Sequence, residues 1–334
     1  MRAFVIGVSG LALVGLLACG GGPAADPAAS GGGADAAADP RDQFVGTWKL
    51  VRFERYDAGG QLLPPPESGA FGAGAPLGYI MYDGEHMGVV IQQEHRKPFA
   101  GAQPTGDEAI AAATSYVSYF GPYTVNEAEG YVTHHVLGSN NPGMTGADNQ
   151  RFYEFSGNEL ALRPPPGENG VQARIVWEKM ASKANMSAEQ RRFLGFWRIN
   201  YVEQGPPGGD AQPAASQYAA GYIIYMPSGH MAVHLLRTED RPAYAGGRPT
   251  GDEAIAAIDT YGSYAGPFIP HPDDGYVLHR RTAALSPGSA GVDAQRFYEF
   301  RDNELILMPV PREVDGSPVQ RYIHWERLSN LDAG

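Results

Sequence analysis

The stretch TGDEAIAAATSYVSYFGPY, from Thr105 to Tyr123, returns lightly edited as TGDEAIAAIDTYGSYAGPF from Thr250 to Phe268. The offset is 145 residues, and it also carries GYVTHH from Gly130 onto GYVLHR from Gly275 and QRFYEF from Gln150 onto QRFYEF from Gln295. A period this long is a whole domain, well beyond the ~20–50 residues of a solenoid element. The chain is a tandem duplication, and one unit must be explained first. Thr105-Gly-Asp-Glu108 and Thr250-Gly-Asp-Glu253 both fit the Thr-x-x-Glu capping box that starts a helix. Ile110, Tyr116, Val117 and Phe120 then fall on or near one helical face, and Gly121-Pro122 stops the helix; Ile255, Tyr261 and Tyr264 repeat the pattern.

Everything around this stretch reads as strand. Gly78 to Tyr82 and His86 to Ile91, joined by a short Gly-containing turn, form a hairpin, repeated by Gly221 to Tyr225 and His230 to Leu236. His86 and His230 sit beside those turns as exposed loop histidines. Tyr123-Thr-Val-Asn, Gly130 to Leu137, Gln150 to Phe155, Glu159 to Leu162 and Arg174 to Lys179 follow, with Asn- and Gly-containing turns between them. Eight or nine strands per unit at this spacing give an all-β fold of two tandem antiparallel barrels. The lone helix of each unit must then lie against the barrel wall or at or near its mouth. A mouth-closing helix places Tyr116 and Tyr119, with Tyr261 and Tyr264, at a ligand's edge; plain packing is the alternative.

The unit opens on Phe44-Val45-Gly46-Thr47-Trp48, matched by Phe193-Leu194-Gly195-Phe196-Trp197. Gly-x-Trp at the head of the first strand resembles the hallmark of lipocalins and related calycin barrels, where the Trp plugs one end and a basic residue near the last strand lies over it. Trp177-Glu178-Lys179 and Trp325-Glu326-Arg327 offer that residue, for roughly 0.5–2 kcal/mol of cation–π attraction. The set of Gly-x-Trp, Gly-Tyr-x-x-Tyr, Arg-Pro, a Gly-x-Glu-x-Ala helix, a strand containing His, Gln-Arg, Glu-Leu and Trp-Glu resembles the lipocalin-like domain of bacterial and fungal proteins. Gln150-Arg151 and Gln295-Arg296 lack that family's usual intervening residue. The resemblance covers nearly all of 43–328. It implies a calycin-type barrel and small hydrophobic ligands, and it implies no reaction.

At 334 residues the chain has room for about two domains. Net charge is −12 with no Lys/Arg cluster, which argues against a nucleic-acid partner. The single cysteine, Cys19, excludes an intramolecular disulfide, and no Cys/His cluster suggests a metal. No phosphate loop, dinucleotide fingerprint, Gly-x-Ser-x-Gly elbow or His-Glu-x-x-His occurs, so no cofactor is expected. Ala3 to Ala18 is apolar behind Arg2, too short to span a bilayer and suited to a signal peptide. Its ending, Leu16-Leu17-Ala18-Cys19-Gly20, resembles the lipobox of bacterial lipoproteins, which implies lipidation at Cys19 and an outer-membrane or envelope location. Residues 20–42 hold Gly, Ala, Pro, Asp and Ser almost throughout and read as a disordered tether. The expected organisation is leader 1–19, tether 20–42, barrel 43–182, linker 183–192 and barrel 193–329.

Strand alternation locates candidate ligand-binding residues. His134 shares a face with Val132 and Val136, and Arg151, Tyr153 and Phe155 form one face of the later strand. His134, Arg151 and Tyr153 are therefore expected inside the first barrel, and His279, Arg296 and Tyr298 inside the second. A buried Arg is costly unless paired, so Arg151 either meets Glu154 or Glu178 or awaits an anionic ligand. Three functions follow: a lipid-anchored binder of a small, largely apolar, anionic-headed molecule; an isomerase, cyclase or hydratase using His134 and Glu154; or a structural envelope protein with filled barrels.

Overall fold

The computed structural model describes residues 39–331, apart from 73 and 168. The expected leader, the lipidation site Cys19 and the tether as far as residue 38 lie outside the described residues. The first unit contains β1 Gly46–Tyr56, β2 Leu77–Tyr82, β3 His86–Gln92, β4 Tyr116–Asn126, β5 Tyr131–His135, β6 Gly138–Ser139, β7 Asp148–Ser156, β8 Glu159–Arg163 and β9 Gln172–Lys179. All pairings are antiparallel, running β1-β2-β3-β4-β5-β7-β8-β9 and back to β1, so eight strands close a barrel and β6 hangs from β4.

The second unit contains β10 Gly195–Gly205, β11 Gln212–Pro213, β12 Ala220–Tyr225, β13 His230–Leu236, β14 Tyr261–His271, β15 Tyr276–Arg280 and β16 Ala283–Ala284. It finishes with β17 Asp293–Arg301, β18 Glu304–Pro309, β19 Arg312–Val314 and β20 Ser317–Arg327. Pairing of β10 with β20 closes it, again with eight strands in the ring. Three α-helices accompany the strands: α1 Gly106–Thr114, α2 Ala188–Phe193 and α3 Gly251–Thr260. The all-β, two-barrel class read from the sequence is the class observed.

The helix that opens each repeated stretch is shorter than its apolar spacing suggested. The capping box is present, with Thr105 accepting from Glu108 N, but α1 ends at Thr114. There the hydroxyls of Thr114 and Ser115 bond back to Ile110 O and Ala111 O at 2.8 and 2.6 Å. Tyr116 to Pro122 then pair with β3 as the first part of strand β4. Gly121 does not stop a helix; it sits in mid-strand, where a Cβ would lie 1.9 Å from His135 O. Its counterpart Gly266 is held to φ 155° under Arg280 O. The expected tether is also ordered at its end: Pro40–Gln43 forms a 3-10 turn capped by Asp39, which delivers Phe44 into the barrel.

Alternation along the closed strands gives each barrel an apolar interior, with Trp48, Ile80, Val89, Val132, Leu160 and Leu162 in the first and Trp197, Ile223, Val233, Val277, Leu305 and Leu307 in the second. Trp48 donates Nε1–H to Phe44 O at 2.7 Å with Lys179 Nζ 5.1 Å from its ring, and Trp197 donates to Phe193 O at 2.8 Å with Arg327 3.9 Å from its ring. The cation-covered plug expected at Gly-x-Trp is therefore present twice. Trp197→Ala is expected to lower the unfolding free energy by about 3–5 kcal/mol, from lost burial plus a cavity. Urea denaturation of the variant, which keeps Arg327 but not its partner ring, measures this; a loss below about 1 kcal/mol would show that the plug is not part of the core.

A third apolar cluster joins the barrels. Tyr79, Met81, Val90, Tyr116 and Phe120 from the outside of one meet Phe196, Tyr222, Ile224, Leu236 and Tyr261 from the outside of the other. The helices pack on each other through Ala109, Ala113 and Ala254, and Gly106 and Gly251 let them touch, since a Cβ on Gly106 would lie 3.1 Å from Gly251 Cα. Two arginines stitch this seam. Arg96 donates to Ala112 O at the end of its own α1, to Leu285 O at 2.8 Å, and to Ala284 O. Arg241 returns the contact, donating to Ala257 O at the end of α3 and to Ser139 O and Asn140 O of the first barrel. Burial pulls the Arg96 pKa down to about 10, so it stays charged at neutral pH, supported by the carbonyl end of a helix. His86 lies in this seam rather than in an open loop, near the rings of Phe196 and Tyr222 and bonded to Asp83.

Candidate functional site

In the first barrel β2, β4, β5 and β7 turn Tyr82, Tyr119, His134 and Arg151 toward one region. His134 is fully buried; Tyr82 Oη lies 2.8 Å from its Nε2 and Tyr119 Oη 3.0 Å from its Nδ1. The second barrel repeats the bridge, with Tyr225 Oη 2.8 Å from His279 Nε2 and Tyr264 Oη 2.9 Å from His279 Nδ1. Burial pushes the His134 pKa well below its ordinary value, and the Arg151 charge adds to the effect. Burial and Arg296 do the same to His279. Burial raises the Tyr82 and Tyr119 hydroxyls, although the Arg151 charge draws both back toward ionisation.

The hydrogen count of the bridge is unequal. A neutral imidazole offers one N–H and one lone pair, whereas two phenols bring two O–H groups. One phenol donates to the ring and the other accepts from it, so the accepting phenol keeps a hydrogen that the bridge cannot use. Arg151 adds to the surplus: its Nη1 donates to Gln150 O at 2.7 Å, its guanidinium also donates to the Tyr119 hydroxyl, and among the described residues it makes no ion pair. Arg296 stands likewise, bonded to Gln295 O at 2.8 Å. Asn149, in register with His134 on β7, has a buried Nδ2 with no partner. The cluster is rich in donors and short of acceptors. An oxyanion or carbonyl is its chemical complement.

Of the candidate residues, Tyr119, His134 and Arg151 come together, as do Tyr264, His279 and Arg296. Tyr153 and Tyr298 point into the barrels but serve a neighbouring ring cluster, edge-on to Phe44 and Phe193 with centroids 5.1 and 4.9 Å apart. Tyr116 and Tyr261 are not in a barrel at all. Tyr116 Oη meets Ser263 Oγ at 3.0 Å, and Tyr261 Oη meets Ser118 Oγ and His234 Nδ1 at 3.1 Å, all within the seam. Residues three apart share a face of a helix but take opposite faces of a strand, so the early end of the helix separates Tyr116 from Tyr119.

Neither carboxylate partner considered for Arg151 reaches it. Glu154 and Glu178 are exposed on the outer face, which also removes Glu154 as an acid–base partner for His134. Tyr82 and Tyr225 were missed; alternation with Ile80 and Ile223, which share the interior with Trp48 and Trp197, was the available signal. Among the described residues no group of three or more His, Cys, Asp or Glu is placed to hold a metal ion.

A family model described as a lipocalin-like domain matches residues 45–180 and again 194–328. No curated protein matches the sequence. Among solved structures, a mutant of transferrin-binding protein B from Haemophilus parasuis is 7% identical, with 84% of this chain and 75% of that one covered at a TM-score of 0.21. Isotype 1 transferrin-binding protein B from serogroup B Neisseria meningitidis is 10% identical, with 84% and 76% covered at a TM-score of 0.23. Superposition this loose carries no argument about function.

Proposed function

Since the chain belongs to the lipocalin-like domain family, with one domain in each half, we propose that it is a lipid-anchored protein of the bacterial cell envelope that binds a small, largely apolar molecule through an anionic or strongly accepting group. The observation that carries this reading is the surplus of donors in each barrel, where a histidine bridged by two tyrosines stands beside an arginine without a carboxylate. Both guanidiniums are only partly buried, so water can serve them while the barrel is empty, and an anionic group that replaced that water would gain a charge-assisted contact that a packed scaffold has no use for. Arg151 and Arg296 would hold the head group, and the tyrosine–histidine bridge would supply a further O–H. The anchor rests on Leu16-Leu17-Ala18-Cys19, with the membrane as the second partner.

Native mass spectrometry of the gently extracted full chain tests this. The expected spectrum carries an extra small-molecule mass that leaves on denaturation, and Arg151→Met combined with Arg296→Met is expected to lose it. A double variant that keeps the mass while remaining folded would remove the arginines from the site. The same spectrum reads acyl chains on Cys19, and an unmodified cysteine in the native chain would remove the anchor.

A further inference from the structure

The two barrels are not equally closed at the rim beside the histidine bridge. In the first, Val117, Val136 and Met144 pack into the barrel core, and Tyr119 is only 5% exposed. At the offset of 145 residues the second barrel has Gly262, Arg281 and Ser289 in their places. The three apolar plugs are gone, Tyr264 is half-buried, and a cavity of about 190 Å3 opens, lined by Gly262, Tyr264, Arg281, Leu285, Ser286 and Ser289 among others. A Cβ on Gly262 would meet nothing within 4 Å.

The exchange of Val136 for Arg281 is chemical as well as steric. Arg281 lies over the Tyr264 ring at 5.8 Å and donates Nε–H to Val292 O at 2.8 Å. Asp293, the nearest carboxylate to act on it, is itself engaged by Arg280. Burial and, to a lesser degree, the Arg296 charge lower the Arg281 pKa, and neither arginine forms an ion pair among the described residues. Ser286 heads the 3-10 turn Pro287–Ser289 without bonding its hydroxyl to it, whereas Asn141 caps the matching turn of the first barrel with its side chain. An arginine without a carboxylate of its own, lining an open cavity with unused hydroxyls, is a receptor for negative charge, and the Arg296 charge adds to the positive field there.

We propose that the rim of the second barrel is a head-group site for a small amphiphilic oxyanion, carboxylate or phosphate monoester, bound by Arg281 with Arg296 behind it and Ser286 and Ser289 at its side. The first barrel has no equivalent. This rests on the binding reading above and adds which barrel receives charge and with which residues.

Calorimetric titration of the full chain with decanoate and with decyl phosphate tests it, using Arg281→Val and the pair Gly262→Val with Ser289→Met. Each substitution installs the residue that the first barrel already uses, so folding is expected to survive. The expected result is binding that weakens about tenfold or more in Arg281→Val, the size of one charge-assisted contact, and that is also lost when the cavity is refilled. Tighter binding of decyl phosphate would assign a phosphate head, and equal or tighter binding of decanoate a carboxylate. Wild-type binding unchanged in Arg281→Val but lost in Arg151→Met with Arg296→Met would overturn the rim site and leave the barrel reading standing. No binding of either probe to a wild-type chain whose native spectrum carries a bound molecule would overturn the rim site alone, and no binding by a chain that also carries none would overturn the barrel reading with it.

Discussion

Acidification from pH 7 to 5 is expected to destabilise this protein steeply, before its carboxylates begin to titrate. His134, His234 and His279 are fully buried, and burial holds all three neutral, His234 down to about 3 and the other two well below their ordinary value. An imidazolium could still donate to both flanking phenols, so the hydrogen bonds of the bridge do not forbid protonation. Burial, and in the barrels the neighbouring arginine, decide the matter. The folded state stays unprotonated where the unfolded chain, titrating near 6.5, takes up a proton. Stability is therefore complete above about pH 6.5 and falls as pH drops below it, by roughly 1.4 kcal/mol per pH unit for each imidazole. Three act together, so the slope below pH 6 approaches about 4 kcal/mol per unit. Urea midpoints measured between pH 7 and 5 give the slope directly, and a flat profile would mean that the folded protein admits these protons. His234→Val, which installs the residue present at Val90, should remove one imidazole's share. Ser118, Ser263 and Tyr261 stay bonded to one another without it.

The second large effect is expected at the seam. Replacing both Arg96 and Arg241 with Met keeps much of the apolar stem but removes every bond that the guanidiniums make across it. Each arginine serves two carbonyls of the opposite barrel, and a buried acceptor left without a donor costs about 1–3 kcal/mol. About 2–6 kcal/mol per arginine is then lost, and the loss falls on docking rather than on either barrel's interior. Differential scanning calorimetry should change from one cooperative transition to two, each barrel melting by itself. A single transition at the wild-type midpoint would show that the apolar cluster alone holds the units together.

How much of this was readable from residues depended on period. The strands follow from alternation and from the turn residues between them, whereas the Trp plugs and the closure into two barrels came from the strand count together with the resemblance carried by Gly-x-Trp and Trp-Glu-Lys/Arg. The reach of α1 followed from neither, because Ala-Ile-Ala-Ala-Ala suits a helix while Tyr116 to Phe120 suits either period. The choice between them was made by β3, which offers a partner along the whole run. His134, Arg151 and Tyr119 could be found because they repeat and alternate. Tyr82 belongs to a strand read only as a hairpin arm, and Arg281 becomes meaningful only once the loop after β15 is seen to fold over the start of β14. Contacts fixed by topology leave no trace in spacing.

The bonds of Arg96 to Ala284 and Leu285 are returned by Arg241 to Ser139 and Asn140, which are the same two positions of the other repeat, and Gly106 touches Gly251, its own counterpart. A contact that maps onto itself in this way is isologous. A single unit would present a self-complementary face and pair with its copy about a two-fold axis, so the tandem chain has the architecture of a homodimer whose subunits share one backbone. Covalent joining releases such a pair from identity. His234 occupies the seam once, against Gly88, where its mate is Val90; two identical chains would be forced to place it twice. The same release allows one barrel to keep Val136 as a plug while the other carries a charge at Arg281.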